Sequence, residues 1–500
     1  MNRAYIPVLV GLAMAIGVWL GSGLTNPFAR PEQSANWNKI EHILQYVSSD
    51  YVDTISRKQL EEEVVAFLMQ RLDPHSHYIP EQDLARINEP LEGNFDGIGI
   101  QFNLRNDTIY VVSTIKNGPS ERAGIHPGDL IVTVDGDTVA GTGLSNSTVT
   151  QLLKGPKGSK VKVGVQRLGI AGLKPVTVER GEIPIKSIEA AYLINDSTIF
   201  VRLARFSKHT HEEFKEEVYP LKGPGVNGMV LDLRGNGGGY LDGAINLADE
   251  FLEKGQLITY TEGRTRPRLE YRSSSDGIFE DLRLSIIIDG FSASASEILA
   301  GCVQDLGRGA VVGSRSFGKG LVQEQNEWTD GSATRLTVAR YYTPNGRSIQ
   351  RPYNEQGNYE LNLSDSVLGG IIPDIEVKRD TSGITWLYAE AVHMGLLTRF
   401  AYHFRDIQME RFLSYTEEEF IHELTEEEIK TALYDYLKAD MGELNEREWK
   451  RSSSRMAQRV RAVIGRSLFS EETYFRVHNT SDNFVETAIK SLKTANPKAS

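Results

Sequence analysis

Residues 284–306 read LSIIIDGFSASASEILAGCVQDL. The run at 284–288 is mostly apolar, which is typical of a buried strand, and apolar residues at helical spacing follow from Ile298. A strand, a turn and a helix in this order expose the turn, which carries three serines. Residues 294–297 also match the capping box S-x-x-E, which stabilises a helix start and requires no function. The stretch predicts a layered α/β fold and, taken alone, leaves catalysis open.

The same alternation of elements continues on both sides of this stretch. Strand-like runs at 198–201, 229–233, 284–288, 310–312 and 333–339 alternate with helical patterns at 240–252 and 297–306. This order favours an α/β layer over residues 185–377. Toward the N-terminus, residues 36–88 show apolar residues at amphipathic helical spacing, and Pro74 ends this pattern. Toward the C-terminus, the chain after Thr381 has a helical, charged pattern.

Length and composition exclude several classes of protein. A chain of 500 residues predicts about three domains. The 55 basic and 67 acidic residues give a net charge of −12, which is the wrong sign for a nucleic-acid partner. The single cysteine, Cys302, excludes an intrachain disulfide and a cysteine-based zinc cluster.

The N-terminal segment indicates a membrane anchor. Residues 4–29 carry no charge, and residues 6–24 (IPVLVGLAMAIGVWLGSGL) form an apolar run long enough to span a bilayer. No A-x-A-like cleavage site follows the run, so an uncleaved signal anchor is favoured over a cleaved signal peptide. Arg3 favours a cytoplasmic N-terminus. The rest of the chain is then expected outside the cytoplasm, in the periplasm or cell envelope.

A small β-rich module is predicted over residues 93–180. Its marks are GIGI at 97–100 and GPSERAGIHPGDLI at 118–131, followed by VTVDG. Together these motifs resemble a PDZ domain. The resemblance implies that a peptide C-terminus adds as a strand along 98–102, across from a helix near 147–153, with its carboxylate held by loop 97–99. The peptide-binding residues are therefore expected to be Gly97, Ile98, Gly99 and Ile100. The alternative is a β-sandwich whose glycines only form turns.

A lysine replaces histidine as the candidate base for a serine. The histidines nearest in sequence to the serine-rich turn are His211 and His393, whereas RSFGKGLVQ at 315–323 places Lys319 between two glycines beside apolar residues. Burial disfavours an ammonium ion, so such a lysine can be neutral and accept a hydroxyl proton. The alternative is a surface lysine whose stem packs on apolar neighbours.

A glycine run provides candidate oxyanion donors. Residues 230–240 read VLDLRGNGGGY, an apolar strand that enters glycines before a helix. Free backbone amides at such a turn can stabilise an oxyanion. No G-K-[ST] follows, which excludes a Walker phosphate loop, but an ordinary tight turn remains an alternative.

The combination of motifs resembles the carboxyl-terminal processing peptidases, a family of PDZ-bearing Ser/Lys proteases. The likeness covers about residues 36–377. It is carried by LDPHS at 72–76, the PDZ motif, DLRGNGGG at 232–239, SASASE at 292–297, FGKG at 317–320 and GIIPD at 370–374. It implies a serine endopeptidase that cuts near the C-termini of captured proteins. A non-enzymatic PDZ scaffold with a protease-like fold is the competing class.

The resemblance also implies residue roles. Ser294 is the expected nucleophile, Lys319 the base and Gln323 its supporting amide, with the oxyanion held by the amides of Gly238 and Ala295. For Gln323 to reach Lys319, we expect a helical turn or sharp bend at 319–323, because four residues of straight strand span about 13 Å. No cofactor is implied.

The resulting organisation is a multidomain α+β chain. The boundaries are a signal anchor at 1–29, an N-terminal helical region at 30–92, a PDZ domain at 93–180, an α/β protease core of the crotonase/ClpP-like kind at 181–380 and a helical C-terminal extension at 381–500. The extension is a candidate surface for homo-oligomer or partner contacts. Histidines at 75–77 and 209–211 have spacings that a zinc site uses, but ordinary loops and helix ends are favoured, so no metal is expected.

Overall fold

The computed structural model describes residues 38–493 except 106, 168–169, 275–276, 355–358 and 360–368. The chain separates into two compact units, Met1–Leu72 and Asp73–Ser500. The signal anchor predicted at 1–29 lies outside the described residues. In the part of the chain that is described, no helix combines the length and the apolar character needed to cross a membrane.

The described part of the first unit is helical, in agreement with the amphipathic spacing. It contains α1 (Asn38–Asp50) and α2 (Arg57–Gln70). The Ser56 hydroxyl accepts the N–H of Gln59 at 3.4 Å and so caps the start of α2. Many apolar side chains of the predicted face remain exposed, for example Ile43 at 50% and Leu68 at 51%.

The second unit begins with short elements and then forms the β-rich module predicted to be a PDZ domain. The elements are β1 (His77–Ile79), α3 (Glu81–Glu92), β2 (Asn94–Gly97), β3 (Ile100–Leu104), β4 (Ile109–Thr114), α4 (Pro119–Ala123), β5 (Leu130–Val134), β6 (Asp137–Thr138), α5 (Asn146–Leu153), β7 (Lys160–Gln166) and β8 (Lys174–Glu179). The sheet has the order β3-β4-β5-β7-β8, with β6 beside β5. Alternate residues of β7 and β8 are buried, so their side chains build the core of this domain.

The region predicted as the protease core contributes to two larger sheets, and its first strand, β9 (Gly181–Pro184), pairs with β2 in a separate two-stranded sheet. The other elements of this region are β10 (Ile188–Asn195), β11 (Thr198–Leu203), α6 (Thr210–Glu217), β12 (Gly228–Asp232), α7 (Leu241–Asp249), β13 (Leu257–Glu262), β14 (Leu269–Arg272), β15 (Arg283–Ile288), α8 (Ala295–Asp305), β16 (Gly309–Gly313), β17 (Leu321–Glu327), β18 (Ala333–Tyr342) and β19 (Ile375–Glu376). The predicted strands and helices of residues 185–377 are thus confirmed, with bounds shifted by one to three residues.

The main sheet has the order β10-β11-β12-β15-β16-β19, and all neighbours except β10 and β11 are parallel. Every residue of β12 is buried, because both faces of a parallel sheet are covered. β12 and β15 are adjacent and parallel, so the glycine run after β12 and the serine-rich turn after β15 leave the sheet at the same edge. This topology brings the two motifs together.

The second sheet adds the lysine segment and an N-terminal strand. β18 pairs antiparallel with β17, β13 and β1. The strand β1 lies in a region that the sequence predicted as helical, and it carries the LDPHS segment to the edge of the protease core. Its three residues are too few to show the alternating apolar pattern that indicates a strand.

The C-terminal extension is helical, as predicted. It contains α9 (Trp386–His393), α10 (Leu396–Ile407), α11 (Met409–Phe412), α12 (Glu417–Glu423), α13 (Glu426–Met441), α14 (Glu446–Leu468), α15 (Glu471–His478) and α16 (Asn483–Ser491). Phe484, Val485 and Ala488 of α16 pack on one face of the main sheet, against Val230 and Ile287. The extension therefore completes the core of its own chain, while homo-oligomer contacts through it stay a prediction.

Candidate active site

The serine-rich turn holds Ser294 in a strained backbone conformation. Ser294 directly precedes α8, with φ of 56° and ψ of −114°. A residue with a side chain rarely adopts positive φ, and such strain concentrates at functional sites. The other two serines are buried: Ser292 donates to the Leu233 carbonyl at 2.8 Å, and Ser296 donates to the Asn236 carbonyl at 2.9 Å. Their hydrogen bonds fix the turn against the glycine run.

Glu297 joins the serine turn to the lysine segment. Its Oε2 accepts the N–H of Ser294 at 2.9 Å and the N–H of Lys319 at 2.8 Å. Its Oε1 accepts the N–H of Gly318 at 2.7 Å and the hydroxyl of Ser316 at 2.5 Å. Burial raises the pKa of this carboxyl group although the four donors oppose the shift. The sequence predicted the capping contact alone, because the other partners lie about twenty residues away.

Lys319 and Gln323 are in contact, but not through a helical turn. Lys319 Nζ donates to Gln323 Oε1 at 3.1 Å, while Gln323 lies in the extended strand β17. The predicted bend is wrong because it compared backbone positions and ignored the reach of two long side chains. The pairing of β17 with β18 shifts register at this point, where Val322 lies opposite Ala339 and Gln323 opposite Thr337.

The LDPHS segment orients the Gln323 amide. Gln323 Nε2 donates to the His75 carbonyl at 2.7 Å, so its Oε1 is turned toward Lys319. Asp73 is buried and holds this turn: its Oδ1 accepts the N–H groups of His75 and Ser76, each at 2.8 Å. The segment thus has a structural part in the site that the sequence did not indicate.

The surroundings of Lys319 disfavour its charged form. Burial lowers the pKa of the Lys319 amine, and the nearby guanidinium of Arg335 lowers it further. Asp73 and Glu297 oppose this effect more weakly. A neutral amine is therefore available at lower pH than in an exposed lysine, as the sequence led us to expect.

A histidine lies close to this pair, although none is near it in sequence. His75 Nε2 and the Tyr359 hydroxyl are 2.7 Å apart. Burial, and next the charge of Lys319, lower the pKa of His75 to about 4. His75 is consequently neutral near pH 7. It is 244 positions from Lys319 in the sequence, so sequence inspection does not indicate that the two are close.

The glycine run approaches Ser294 closely. Gly238 has φ of +95°, and a Cβ at this position would lie 2.8 Å from Ser294 Cβ, so a glycine is required. Its N–H donates to Asn236 Oδ1 at 2.9 Å and is therefore already engaged. The N–H of Ala295, at the start of α8, donates to no acceptor among the described residues. Of the two predicted oxyanion donors, Ala295 is the available one.

One cavity of about 640 Å³ brings the predicted protease residues together. Ser294, Lys319, Gln323, Gly238 and Ala295 all line it. The lining also includes apolar residues (Leu241, Ile298, Leu321, Val322) and polar ones (Asn88, Gln325, Arg335). The arrangement provides a nucleophile, a neutral amine and a backbone donor on an open cleft.

Sequence reasoning missed Tyr341 as part of this cavity. Its side chain is buried, lines the cavity and donates from its hydroxyl to the Lys319 carbonyl. Burial raises the pKa of this phenol well above its usual range, so it stays protonated as a donor. Only its position in a strand was visible in the sequence.

The PDZ groove has the predicted parts with one shift in register. The edge strand β3 begins at Ile100, two residues later than expected, because Gly99 turns the chain with φ of +73°. Within the described residues, β3 pairs with β4 alone, and the N–H groups of Ile98 and Gly99 donate no backbone hydrogen bond. The open edge and free amides suit an added strand that ends in a carboxylate.

Three of the four histidines considered for zinc, His75, His77 and His211, contact other groups through their rings. His77 Nδ1 contacts the His75 carbonyl at 2.7 Å, and His211 Nε2 contacts Glu250 at 2.7 Å. Over the residues that the structure describes, no three His, Cys, Asp or Glu side chains are grouped closely enough to hold a metal ion.

Comparisons with known proteins identify both domains of the chain. Residues 197–377 match peptidase family S41 and residues 97–179 match the PDZ domain. The carboxy-terminal processing protease CtpB of Bacillus subtilis (strain 168) is 33% identical over 326 residues, which cover 65% of this chain and 67% of that protein. A probable CtpA-like serine protease of Staphylococcus aureus (strain bovine RF122 / ET3-1) is 35% identical over 318 residues, 63% of each chain.

A solved structure, the photosystem II D1 C-terminal processing protease, is 26% identical and covers 69% of this chain and 88% of its own, with a TM-score of 0.39. The chain belongs to peptidase family S41. It is a serine-type endopeptidase with a PDZ domain, and its curated relatives are named as carboxy-terminal processing and CtpA-like serine proteases. The scaffold alternative is therefore set aside.

Proposed function

We propose that this chain is a membrane-tethered endopeptidase outside the cytoplasm that cleaves protein substrates near their C-termini, with Ser294 as nucleophile and Lys319 as base. One observation carries the assignment of the two residues. They line the same cavity, and the single buried carboxylate of Glu297 accepts the backbone N–H of both. Such a shared anchor fixes the two backbone segments relative to each other.

The chemistry follows from the protonation state of Lys319. A neutral amine keeps two N–H groups and one lone pair; one N–H donates to Gln323 Oε1, which leaves the lone pair free for the Ser294 hydroxyl proton. Ser294 Oγ attacks the scissile carbonyl as Lys319 takes this proton. When the C–N bond breaks, Lys319 returns the proton to the leaving amine, and water then hydrolyses the acyl-enzyme by the same route.

The tetrahedral oxyanion needs backbone donors beside Ser294. The N–H of Ala295 is free for this purpose, and the N–H of Gly238 becomes available when Asn236 Oδ1 gives up or shares its hydrogen bond. Asn236 is buried and donates from Nδ2 to the Leu203 carbonyl at 3.0 Å, which keeps the loop in place during such a change.

The test of this function is cleavage of an unstructured protein with an apolar, free C-terminus. Incubation with the full chain is expected to release C-terminal fragments that mass spectrometry identifies. Intact substrate after prolonged incubation at neutral to alkaline pH would count against the proposal.

Substrate capture is assigned to the PDZ groove at Gly97, Ile98, Gly99 and Ile100. Because free amides at 98–99 face a position for a carboxylate, a peptide with a free C-terminus is expected to bind about tenfold or more tightly than its amidated form. Calorimetry on the Ser294→Ala chain measures both affinities without cleavage. Equal affinities of the free and the amidated peptide would contradict this assignment.

Tethering rests on the apolar run at 6–24 and on the missing cleavage site. We expect protein sequencing of the membrane-bound native enzyme to find residue 1 or 2 at its N-terminus. A start near residues 25–35 would show a cleaved signal peptide. A protease-accessibility assay on intact cells then reports whether the catalytic part lies outside the cytoplasm.

A further inference from the structure

Arg335 is a cation in the catalytic cavity that the proposed chemistry does not use. It lies on β18, directly opposite Gln325 of β17, and lines the same cavity as Ser294 and Lys319. Its guanidinium is near enough to Lys319 to lower the pKa of that amine. It is therefore within the region that a bound substrate occupies.

The partners of Arg335 are neutral. Its Nη2 donates to Gln325 Oε1 at 2.7 Å and to Asn88 Oδ1 at 3.1 Å. Among the described residues it forms no ion pair, although it is half-buried. A partly desolvated guanidinium without a counter-ion is unfavourable, and its unused N–H groups match a planar carboxylate in bidentate geometry.

The rest of the cavity restricts which anion is accepted. Glu92, Asp242 and Glu327 also line it without forming an ion pair with Arg335, and they repel a multiply charged anion more strongly than a singly charged one. A peptide substrate has one anion that is independent of its sequence, the terminal carboxylate. One terminal carboxylate beside the guanidinium balances the positive charge of Arg335.

The geometry points to Arg335 as the residue that binds the terminal carboxylate of the substrate on the leaving side of the scissile bond, after that terminus has left the PDZ groove. This inference rests on the proposed function of Ser294 and Lys319. Gln323, which contacts Lys319, and Gln325, which contacts Arg335, are two residues apart on β17, or about 7 Å. The preferred substrates therefore end about two to three residues after the cleaved bond.

The experiment compares cleavage of short apolar peptides that have one to eight residues after the scissile bond, each with a free or an amidated C-terminus. The measured quantity is the ratio of kcat/KM for the free form to that for the amidated form. We expect the wild-type ratio to peak at about tenfold or more for tails of two to three residues. Arg335→Gln should lose this peak, and Arg335→Lys should retain part of it.

The design separates carboxylate binding from two other effects. Arg335→Gln also changes the charge near Lys319, but this alters the rates of both peptides equally and leaves their ratio unchanged. Any preference of the PDZ groove for free termini persists in the variant. Arg340→Gln, an exposed position on the same strand outside the cavity, is the matched control and should keep the wild-type ratio.

Two results would overturn the inference. In the first, Arg335→Gln keeps the wild-type ratio of kcat/KM for free and amidated peptides, whether or not it slows cleavage of both. Arg335 would then act only through Lys319 or not at all, while the protease assignment would stand. If the wild-type enzyme cleaves neither form, the proposed function fails and this inference fails with it. Continued cleavage of the amidated peptide by Arg335→Gln shows that the variant is folded.

Discussion

The Ser294→Ala enzyme is expected to lose cleavage by a factor on the order of 10⁵–10⁶ while it binds peptide C-termini with nearly wild-type affinity. Alanine removes the only atom that attacks the substrate, whereas the PDZ groove lies in a separate sheet. Single-turnover assays measure the first effect and calorimetry the second. Residual cleavage within about tenfold of wild type would exclude Ser294 as nucleophile.

Ser292→Ala is the matched control for this experiment. It removes a hydroxyl from the same turn, but one that is buried and donates to the Leu233 carbonyl. We expect it to lower the free energy of unfolding by about 1 kcal/mol and to leave kcat of the folded enzyme within a few-fold. A complete loss of activity in folded Ser292→Ala would indicate that both variants lose activity because the turn geometry changes, and not because the Ser294 hydroxyl is the nucleophile.

The Lys319→Arg enzyme is expected to be about 10³-fold slower or worse, although the substitution keeps a long basic side chain. Arginine does not lose its proton in this pH range, so it offers no lone pair for the Ser294 proton. Substantial cleavage by a folded Lys319→Arg enzyme would exclude lysine as the base. It would direct attention to His75, an imidazole close enough to Lys319 for the charge of the lysine to lower its pKa.

The same assignment fixes the direction of the pH profile. The pKa of Lys319 is lowered, and only the neutral amine acts as base, so wild-type kcat should fall as pH decreases through that lowered pKa and rise to a plateau above it. Lys319→Arg should not show this rise. A wild-type rate that is flat from pH 6 to pH 10 would contradict the assignment.

The strands and helices of the protease core were predictable because they are long and periodic. β15 is a continuous apolar run, and α8 follows it with apolar residues at helical spacing. The placement of Ser294 and Gly238 in one site came from the family resemblance and not from periodicity. The parallel pairing of β12 with β15, which brings the two loops to the same edge, is seen only in the structure.

The contacts that assemble the site were beyond sequence reasoning for a different reason. Glu297 binds Lys319, and Gln323 binds the His75 carbonyl, across 22 and 248 positions of sequence. Local sequence patterns indicate which face of a helix or strand is buried. They do not indicate which distant backbone group will form a hydrogen bond with a given side chain. The same limit hid β1, whose pairing with β18 and not its own three residues makes it a strand.

The position of α16 in the chain has a consequence for biosynthesis. Its residues Phe484, Val485 and Ala488 cover a face of the main sheet to which Val230 and Ile287 contribute, about 200 residues or more earlier in the chain. Until residues 483–491 have been made, that apolar face has no cover from α16, so a nascent chain that stops short of them is a substrate for chaperones or an aggregation risk. Closure of this face of the core must therefore wait for the synthesis of a helix far downstream of the strands it covers.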